Sequence, residues 1–445
     1  MAQARHKSLI VGLGDTGLAV ARFLARRGDA VAVTDNREEP PCLARIKAEL
    51  PDVAVFVGGY SEAALAQADR VVVSPGIAPQ HEFVVRARAL GLPVIGDIEL
   101  FAAHARAPIV GISGTNGKST VTTLVGLMAA RAGRDVRVGG NLSPPALALL
   151  SDTEPDLYVL ELSSFQLEMT EHLPLAAGAV LNIAPDHLDR HLNLDAYAAA
   201  KARLYYDAAI SIVNRDDTRV MQMAAAKRRV VSFGLDAPAP RQYGVIAAAD
   251  GDWLARGETR LMPVSDLKIR GRHNVANALA ALALGAAAGL PDEAMLAALN
   301  AFGGLPHRMT LVAEHDGVAW YDDSKATNIG AALAAIAGTD APVVVIVGGD
   351  GKGQNFDEFA AVLAARARAA VLIGRDAPLI GAALDERVPH AYAADMDAAV
   401  KLAAGFALRG DCVLLAPACA SLDMYTNYAE RGERFAVAVR RLAGG

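Results

Sequence analysis

The segment GTNGKST (114–120) carries the strongest chemical signal in the chain. It follows the apolar run PIVGI (108–112) and precedes VTTLVGLMAARAG, a stretch with helical character. A glycine loop at a helix start turns backbone N–H groups and the positive end of the helix dipole toward phosphate oxygens. Gly114, Thr115, Asn116 and Gly117 would form that cradle, Lys118 would reach the β and γ phosphates of a nucleoside triphosphate, and Ser119 or Thr120 would meet Mg2+. The longer GxxxxGK[ST] pattern is not satisfied, because Ile112 stands where its first glycine belongs. The loop is the shorter form GxxGK[ST].

Other residues have types and settings suited to chemistry. Only nine of the 43 cationic residues are lysine. Lys118, Lys325 and Lys352 lie in glycine-rich or Asp/Ser-rich loops after apolar runs, and Lys201 follows DHLDRHLNLDAYAAA (186–200). Glu161 ends the run LYVLE (157–161) and would be a buried acid, which is costly unless a cation accompanies it. GLGDTG (12–17) matches GxGxxG, with Asp35 following at the end of AVAVTD (30–35). Alone this is a dinucleotide fingerprint, although the same geometry cradles any diphosphate. Cys419 has no nearby histidine in the sequence and reads as a small buried residue, not a nucleophile.

These loops need elements to position them. A short β-branched apolar run ending in a Gly, Ser, Asn or Asp cluster recurs at 8–12, 70–76, 107–114, 157–164, 178–186, 343–351 and 412–421, each followed by an alanine-rich helical segment. Runs this apolar predict parallel strands covered on both faces. The expected fold is α/β with doubly wound sheets, in which ligands lie beyond the carboxyl ends of the strands. A length of 445 residues suggests roughly three domains. Gly/Pro clusters near Gly96 and Gly303 divide them as 1–96, 97–304 and 305–445. The expected set is a Rossmann-like N-terminal domain, a central P-loop-type ATPase domain with a mostly parallel sheet, and a Rossmann-like C-terminal domain.

Composition excludes several classes. A hydrophobic share of 53% with 21% charged residues is that of a globular protein. A net charge of -6 offers no basic surface for nucleic acid. The three cysteines, Cys42, Cys412 and Cys419, lack CxxC spacing and suit a reducing cytoplasm. The apolar stretch 278–290 is too short to span a membrane. The chain is expected to be cytoplasmic and monomeric, without nucleic-acid partners or membrane insertion.

Taken in order, GTNGKST, ELSSFQLE (161–168), NIAPDHLDRH (182–191), YAAAKARLY (197–205), GRHNVANALAA (271–281), GLPHR (304–308), DDSKATN (322–328), GGDGKG (348–353) and PACASLDMYTNYAERGERF (417–435) resemble the Mur ligase family along almost the whole chain. The resemblance implies an ATP-dependent amide ligase of peptidoglycan precursor synthesis, joining D-glutamate to UDP-N-acetylmuramoyl-L-alanine through an acyl phosphate. It implies two Mg2+ ions, one held by Ser119 and Glu161 and a second by His187 and Lys201. Lys201 would carry a carbamate formed with CO2, a reaction that needs the neutral amine and hence burial. An ordinary lysine paired with Asp195 or Asp207 is what the residues alone would favour.

The resemblance also distributes contacts. Thr16 would lie near the substrate's diphosphate, Asp35 and Arg37 around the uracil, and Ser74 and Gly76 would close that pocket. Asn141 and Ser163 match substrate-contacting positions. Asn274 and Asn277 would contact adenine or neighbouring loops, and Arg308 and Asp323 the nucleotide's phosphates and ribose. Lys325, Thr327, Lys352, Ser421 and Tyr428 would surround glutamate and the acyl phosphate, with Lys118, His187, Lys201 and Lys352 taking part in catalysis. A pocket for a dicarboxylic amino acid needs donors for both carboxylates, and Lys352 with Thr327 and Ser421 supplies one cation and two hydroxyls. D stereochemistry follows from the resemblance alone. A folylpolyglutamate synthase shares the phosphate loop but is expected to lack the N-terminal glycine fingerprint. A nicotinamide-binding redox protein or sensor with a vestigial ATP site is opposed by intact Lys118, Glu161, His187 and Lys201.

Overall fold

The computed structural model describes residues 6–227, 229–339 and 341–444. Among them are three α/β sheets, in the order of the chain. The first holds β1 (Lys7–Val11), β2 (Ala30–Thr34), β3 (Ala54–Phe56), β4 (Arg70–Val73) and β5 (Val94–Gly96), all parallel in the order β3-β2-β1-β4-β5. The second comprises β6 (Ile109–Ser113), β7 (Val136–Gly140), β8 (Leu157–Glu161), β9 (Ala177–Val180), β10 (Ser211–Asn214), β11 (Val230–Phe233), β12 (Tyr243–Ala248), β13 (Gly251–Arg256) and β14 (Thr259–Pro263). Their order is β14-β13-β12-β11-β10-β9-β6-β8-β7. The third comprises β15 (Thr310–His315), β16 (Val318–Asp322), β17 (Val343–Gly348), β18 (Ala367–Ile373), β19 (His390–Tyr392) and β20 (Cys412–Leu415), in the order β15-β16-β20-β17-β18-β19.

Every apolar run singled out in the sequence is a parallel strand, and β6, β8 and β17 are buried at every residue, as strands covered on both faces must be. The sequence reading passed over the antiparallel strands β12, β13 and β14 and the hairpin partner β15. Of these, β14 and β15 lie at sheet edges, and all four include exposed residues and lack the continuous apolar signal.

The described residues form two compact units. One takes the described residues up to Ile183 with Ala198–Asp266 and Ala276–Ala301; the other takes Ala184–Tyr197, Leu267–Val275 and the described residues from Phe302 on. Within the first unit, one buried cluster runs from Ile10 and Val33 of the first sheet through Phe101 to Tyr158 and Leu160 of the second. The rings of Phe101 and Tyr158 meet edge-on at 5.1 Å. In each sheet the chain leaves a central strand to both sides, at β1 between β2 and β4, at β6 between β9 and β8, and at β17 between β20 and β18. Such positions open a crevice at the carboxyl ends, where the candidate loops lie.

Candidate active site

The phosphate loop leaves β6 directly into the helix Lys118–Arg131. Gly117 caps that helix at φ 85°, a left-handed conformation that glycine adopts without strain, and a Cβ there would sit 2.3 Å from Asn277 Oδ1. Asn277 is therefore packed on the loop. Asn182, just beyond β9, holds the loop from the other side. Its C=O accepts from the Thr115 N–H at 2.9 Å, its Oδ1 from the Asn116 N–H at 2.8 Å, and its Nδ2 donates to the Asn116 C=O at 3.0 Å. Lys118 Nζ folds back onto the Gly114 and Thr115 carbonyls, 2.9 Å each. Ser119 and Thr120 are both 3% exposed.

Ile112 pairs with Glu161 across β6 and β8, so the loop and the acid emerge from neighbouring strands. Glu161 is buried; Oε1 accepts from Asn141 Nδ2 at 2.6 Å, and Oε2 is buried without a hydrogen-bond partner. An orphaned carboxylate oxygen is costly, and a cation would satisfy it. With the Ser119 hydroxyl on the loop, this donor set fits Mg2+, a hard cation that prefers oxygen. Asn141 also donates its N–H to the Glu161 C=O at 2.8 Å, so it orients the acid.

Lys201 is 1% exposed; its Nζ donates to the Gly114 C=O at 2.9 Å and lies 3.4 Å from Ser113 Oγ. It is thus tied to the phosphate loop. Ser163 caps the helix Ser164–Glu168 in a capping box with Gln166. Gln166 Nε2 donates to the buried Asp97 Oδ2 at 2.9 Å. Burial pushes the Asp97 carboxyl up to about 6, despite that hydrogen bond.

In the first sheet, the fingerprint residues collect beyond β1, β2 and β4. A Cβ on Gly17 would meet the Gly12 C=O at 2.0 Å, which fixes glycine there. Ser74 Oγ donates to that same carbonyl at 3.1 Å. Asp35 Oδ2 accepts the Leu13 N–H at 2.7 Å, and its two oxygens take Arg37 Nε at 2.9 Å and Nη2 at 2.6 Å. Burial alone would raise the Asp35 carboxyl, but the hydrogen bonds from Arg37 and Leu13 hold it below the usual carboxylate range. Asp35 therefore fastens the glycine loop and aims Arg37. Thr16 lies in the first turn of the helix Asp15–Arg26, and a Cβ on Gly76 would meet open space.

In the second unit, Lys352 has a left-handed backbone, φ 51°, and its Nζ lies 2.7 Å from Asp186 Oδ1. Asn328 Nδ2 donates to Asp186 Oδ2 at 3.3 Å, and the His187 N–H to Oδ1 at 3.0 Å. The sequence argument treated Lys352 as a cation waiting for a ligand carboxylate, but Asp186 already neutralises it. Asp186 received no role from the sequence, although its place in a polar loop beside His187 was a usable signal. His187 is also left-handed, φ 53°, with Nε2 3.7 Å from Asp186 Oδ2. Lys201 and His187 belong to different units.

Lys325 Nζ stands 5.0 Å from the Tyr428 ring centroid, a cation–π distance. The Thr327 N–H donates to the Lys325 C=O at 2.9 Å, and Ser421 is buried in the loop after β20. Arg308 and Asn274 line a cavity of about 530 Å3 with Lys268, Arg270 and His273. Arg308 Nε has no hydrogen-bond partner. Asp323 accepts the Met309 N–H at 3.2 Å; burial pushes its carboxyl up to about 7, although the charge of Arg308 opposes this. Cys419 is fully buried and its thiol is pushed up to about 12 by burial, which makes it inert. Sequence reasoning also gave no role to Asn182, Gln166 and Asp97, whose partners lie far along the chain.

Comparison with known proteins gives matches along the chain. Residues 6–96 match "Mur ligase MurD-like, N-terminal domain", residues 112–285 "Mur ligase middle domain" and residues 307–419 "Mur ligase, glutamate ligase domain". The chain is 51% identical over 442 residues to a UDP-N-acetylmuramoylalanine–D-glutamate ligase of Nitrosococcus oceani, covering 99% of this chain and 98% of that protein. It is 50% identical over 442 residues to the ligase of the same name from Pseudomonas aeruginosa, covering 98% of each. Among solved structures, a pseudomurein peptide ligase type C from Methanothermus fervidus superposes with a TM-score of 0.63 at 19% identity, covering 98% of this chain and all (100%) of that one. A UDP-N-acetylmuramate–alanine ligase from Thermotoga maritima does so with 0.62 at 19% identity, with 98% and 100% covered. At that identity the two structures speak for the shared three-domain fold.

Proposed function

Because the chain belongs to the Mur ligase family, we propose that it is an ATP-dependent ligase that joins D-glutamate to UDP-N-acetylmuramoyl-L-alanine in peptidoglycan precursor synthesis, giving ADP and phosphate. One observation carries the reading: the GTNGKST loop and the orphaned Glu161 oxygen emerge from adjacent strands, in a chain half-identical along its length to ligases of that name. Segments 1–96, 97–304 and 305–445 take the UDP moiety, ATP and the incoming amino acid, a division supported by where the candidate loops leave the three sheets.

In the first step an oxygen of the alanyl carboxylate attacks the γ-phosphorus of ATP, and the bond to ADP breaks. Both reactants are anionic, so the barrier falls with positive charge set in place beforehand. Lys118 supplies part of it, at the start of a helix whose dipole adds to it. Ser119 and Glu161 are the proposed ligands of one Mg2+, which when bound neutralises charge on phosphate oxygens. Lys201 as a carbamate and, in the other unit, His187 are proposed ligands toward a second. The burial of Lys201 against the Gly114 carbonyl supports the carbamate, since a buried amine loses its proton more readily. In the second step the glutamate amine attacks the acyl carbon to give a tetrahedral intermediate, the carbon–oxygen bond to phosphate breaks, and the nitrogen gives up a proton to the departing phosphate or to water. Lys325, Thr327, Lys352, Ser421 and Tyr428 are the proposed surroundings of glutamate.

Thr16, Asp35, Arg37, Ser74 and Gly76 are proposed for the UDP end, a role supported by their collection at the carboxyl ends of β1, β2 and β4. Asn141 and Ser163 are proposed for the rest of that substrate; Asn274, Asn277, Arg308 and Asp323 are proposed for the nucleotide. All three cysteines are free and buried, which supports action in a reducing cytoplasm, and no helix among the described residues is long and apolar enough to cross a membrane. Phosphate release from ATP with UDP-N-acetylmuramoyl-L-alanine and D-glutamate, against L-glutamate and diamino acids, tests the reading. Turnover confined to D-glutamate is expected, and a preference for L-glutamate or a diamino acid would overturn it.

A further inference from the structure

The C-terminal helix Tyr428–Gly444 carries an arginine to which the ligase reading gives no task. Arg431 is 0% exposed, one of the largest side chains to be buried so completely. Burying a guanidinium is expensive, and apolar residues of similar volume usually fill such a place at lower cost. Its hydrogen bonds show where it acts. Nε donates to Ser324 Oγ at 3.0 Å and Nη2 to the Ser324 C=O at 2.9 Å. Nη1 donates to the Cys419 C=O at 3.1 Å and lies 3.5 Å from the Gly348 C=O.

The three residues it holds belong to the three loops that carry the proposed glutamate contacts. Ser324 immediately precedes Lys325, Cys419 lies shortly before Ser421, and Gly348 opens the loop of Lys352. The loops follow β16, β20 and β17, which are neighbours in the sheet. Ser324 Oγ in turn donates to the Tyr428 C=O at 2.7 Å, closing the arrangement onto the helix. At the next residue, Gly432, a Cβ would come within 2.2 Å of His307 Nδ1 and 2.7 Å of Asp322 Oδ2, so the helix lies against the loop at backbone distance.

All four acceptors are neutral. Among the described residues no carboxylate hydrogen-bonds or ion-pairs with this guanidinium; Asp322 and Asp423 act on it only over distance. Burial lowers its pKa to about 10, which leaves it charged at neutral pH. A purely mechanical clamp needs donors but no charge.

We propose that Arg431 is a positioning residue of the amino-acid pocket, clamping the loops after β16, β17 and β20 and lending its unpaired buried charge to the capture of a dicarboxylic amino acid. The proposal rests on the glutamate assignment made above. The clamp and the charge separate by substitution. Arg431→Gln keeps donors and removes the charge; Arg431→Lys keeps the charge and loses the fork. With ATP and UDP-N-acetylmuramoyl-L-alanine saturating, Arg431→Gln is expected to raise the D-glutamate KM about tenfold, the size of effect one unscreened charge has at a separation on the order of 10 Å. The KM values of the other two substrates and kcat stay within about threefold, as befits a loss of uniform binding to one substrate. Arg431→Lys is expected to keep the D-glutamate KM within about threefold while lowering the melting temperature. An unchanged glutamate KM in folded Arg431→Gln, or a tenfold rise in folded Arg431→Lys, would overturn the proposal. So would an equal rise in all three KM values, or failure of both variants to fold, since the position would then serve the fold alone. Wild-type turnover without D-glutamate dependence would instead sink the ligase reading.

Discussion

Replacing Lys352 by alanine separates two effects that the ion pair with Asp186 ties together. The ammonium lies 2.7 Å from Asp186 Oδ1, and the two side chains are only 11% and 7% exposed, so water screens the pair weakly. On the ligase reading the side-chain carboxylate of glutamate shares this ammonium with Asp186. Loss of a charge-assisted hydrogen bond costs about 1.5–3 kcal/mol, or about 10- to 150-fold in the glutamate KM. Asp186 would keep neutral donors such as Asn328 Nδ2 and the His187 N–H but lose its cation. A buried pair broken on one side typically costs about 3 kcal/mol of stability. Lys352→Ala combined with Asp186→Asn removes the stranded charge, so it recovers most of the stability and none of the glutamate affinity. Phosphate release is followed across a D-glutamate titration at saturating ATP and UDP substrate, with thermal unfolding of the same preparations. A folded Lys352→Ala protein with an unchanged glutamate KM, or a double variant that regains it, would show that Lys352 serves Asp186 and not the substrate.

Three further outcomes are expected. Lys118→Ala should lower kcat about a thousandfold or more with the melting temperature near wild type, because the side chain is only partly buried and donates to two carbonyls of its own loop; turnover close to wild type would refute the phosphate-loop assignment. Lys201→Arg keeps a cation but cannot form a carbamate, so it should lose ligation and the NMR signal that isotopically labelled bicarbonate gives in wild type; full activity would sink the carbamate. Asp323, pushed up to about 7 by burial, keeps a proton in the native state that the unfolded chain releases near its ordinary value of 3.8. Stability should therefore fall as pH rises from about 4 to about 7, and urea midpoints at pH 5 and 7.5 should converge in Asp323→Asn, save for the smaller slope from Asp97. An identical fall in that variant would refute the assignment.

The strands and their loops were legible because a fully covered parallel strand writes an uninterrupted apolar run, and the polar residues just after it stand at the crevice. That is how Lys118, Glu161 and Lys352 could be picked out. Asp186 meets Lys352 across 166 positions of chain, and no local pattern encodes such a meeting. Arg431 was equally opaque, since an arginine in a helix with charged neighbours ordinarily reads as solvated. The antiparallel run β12–β14 escaped because its strands are only partly buried and carry no continuous apolar signal. Membership of 184–197 and 267–275 in the second unit escaped because contacts, not punctuation by Gly and Pro, decide it.

The buried apolar seam between the first two sheets bears on how far this enzyme can be recombined. Ile10, Val33, Phe101 and Tyr158 lie in one buried cluster, so a chimera joined at Gly96 would cut through packed apolar surface, not through a linker. Exchanging the first sheet for that of a relative would need matching replacements on the facing side of the second. Under drift, residues such as Phe101 and Tyr158 must change together or stay. The first sheet is thus harder to swap wholesale than its loops alone suggest.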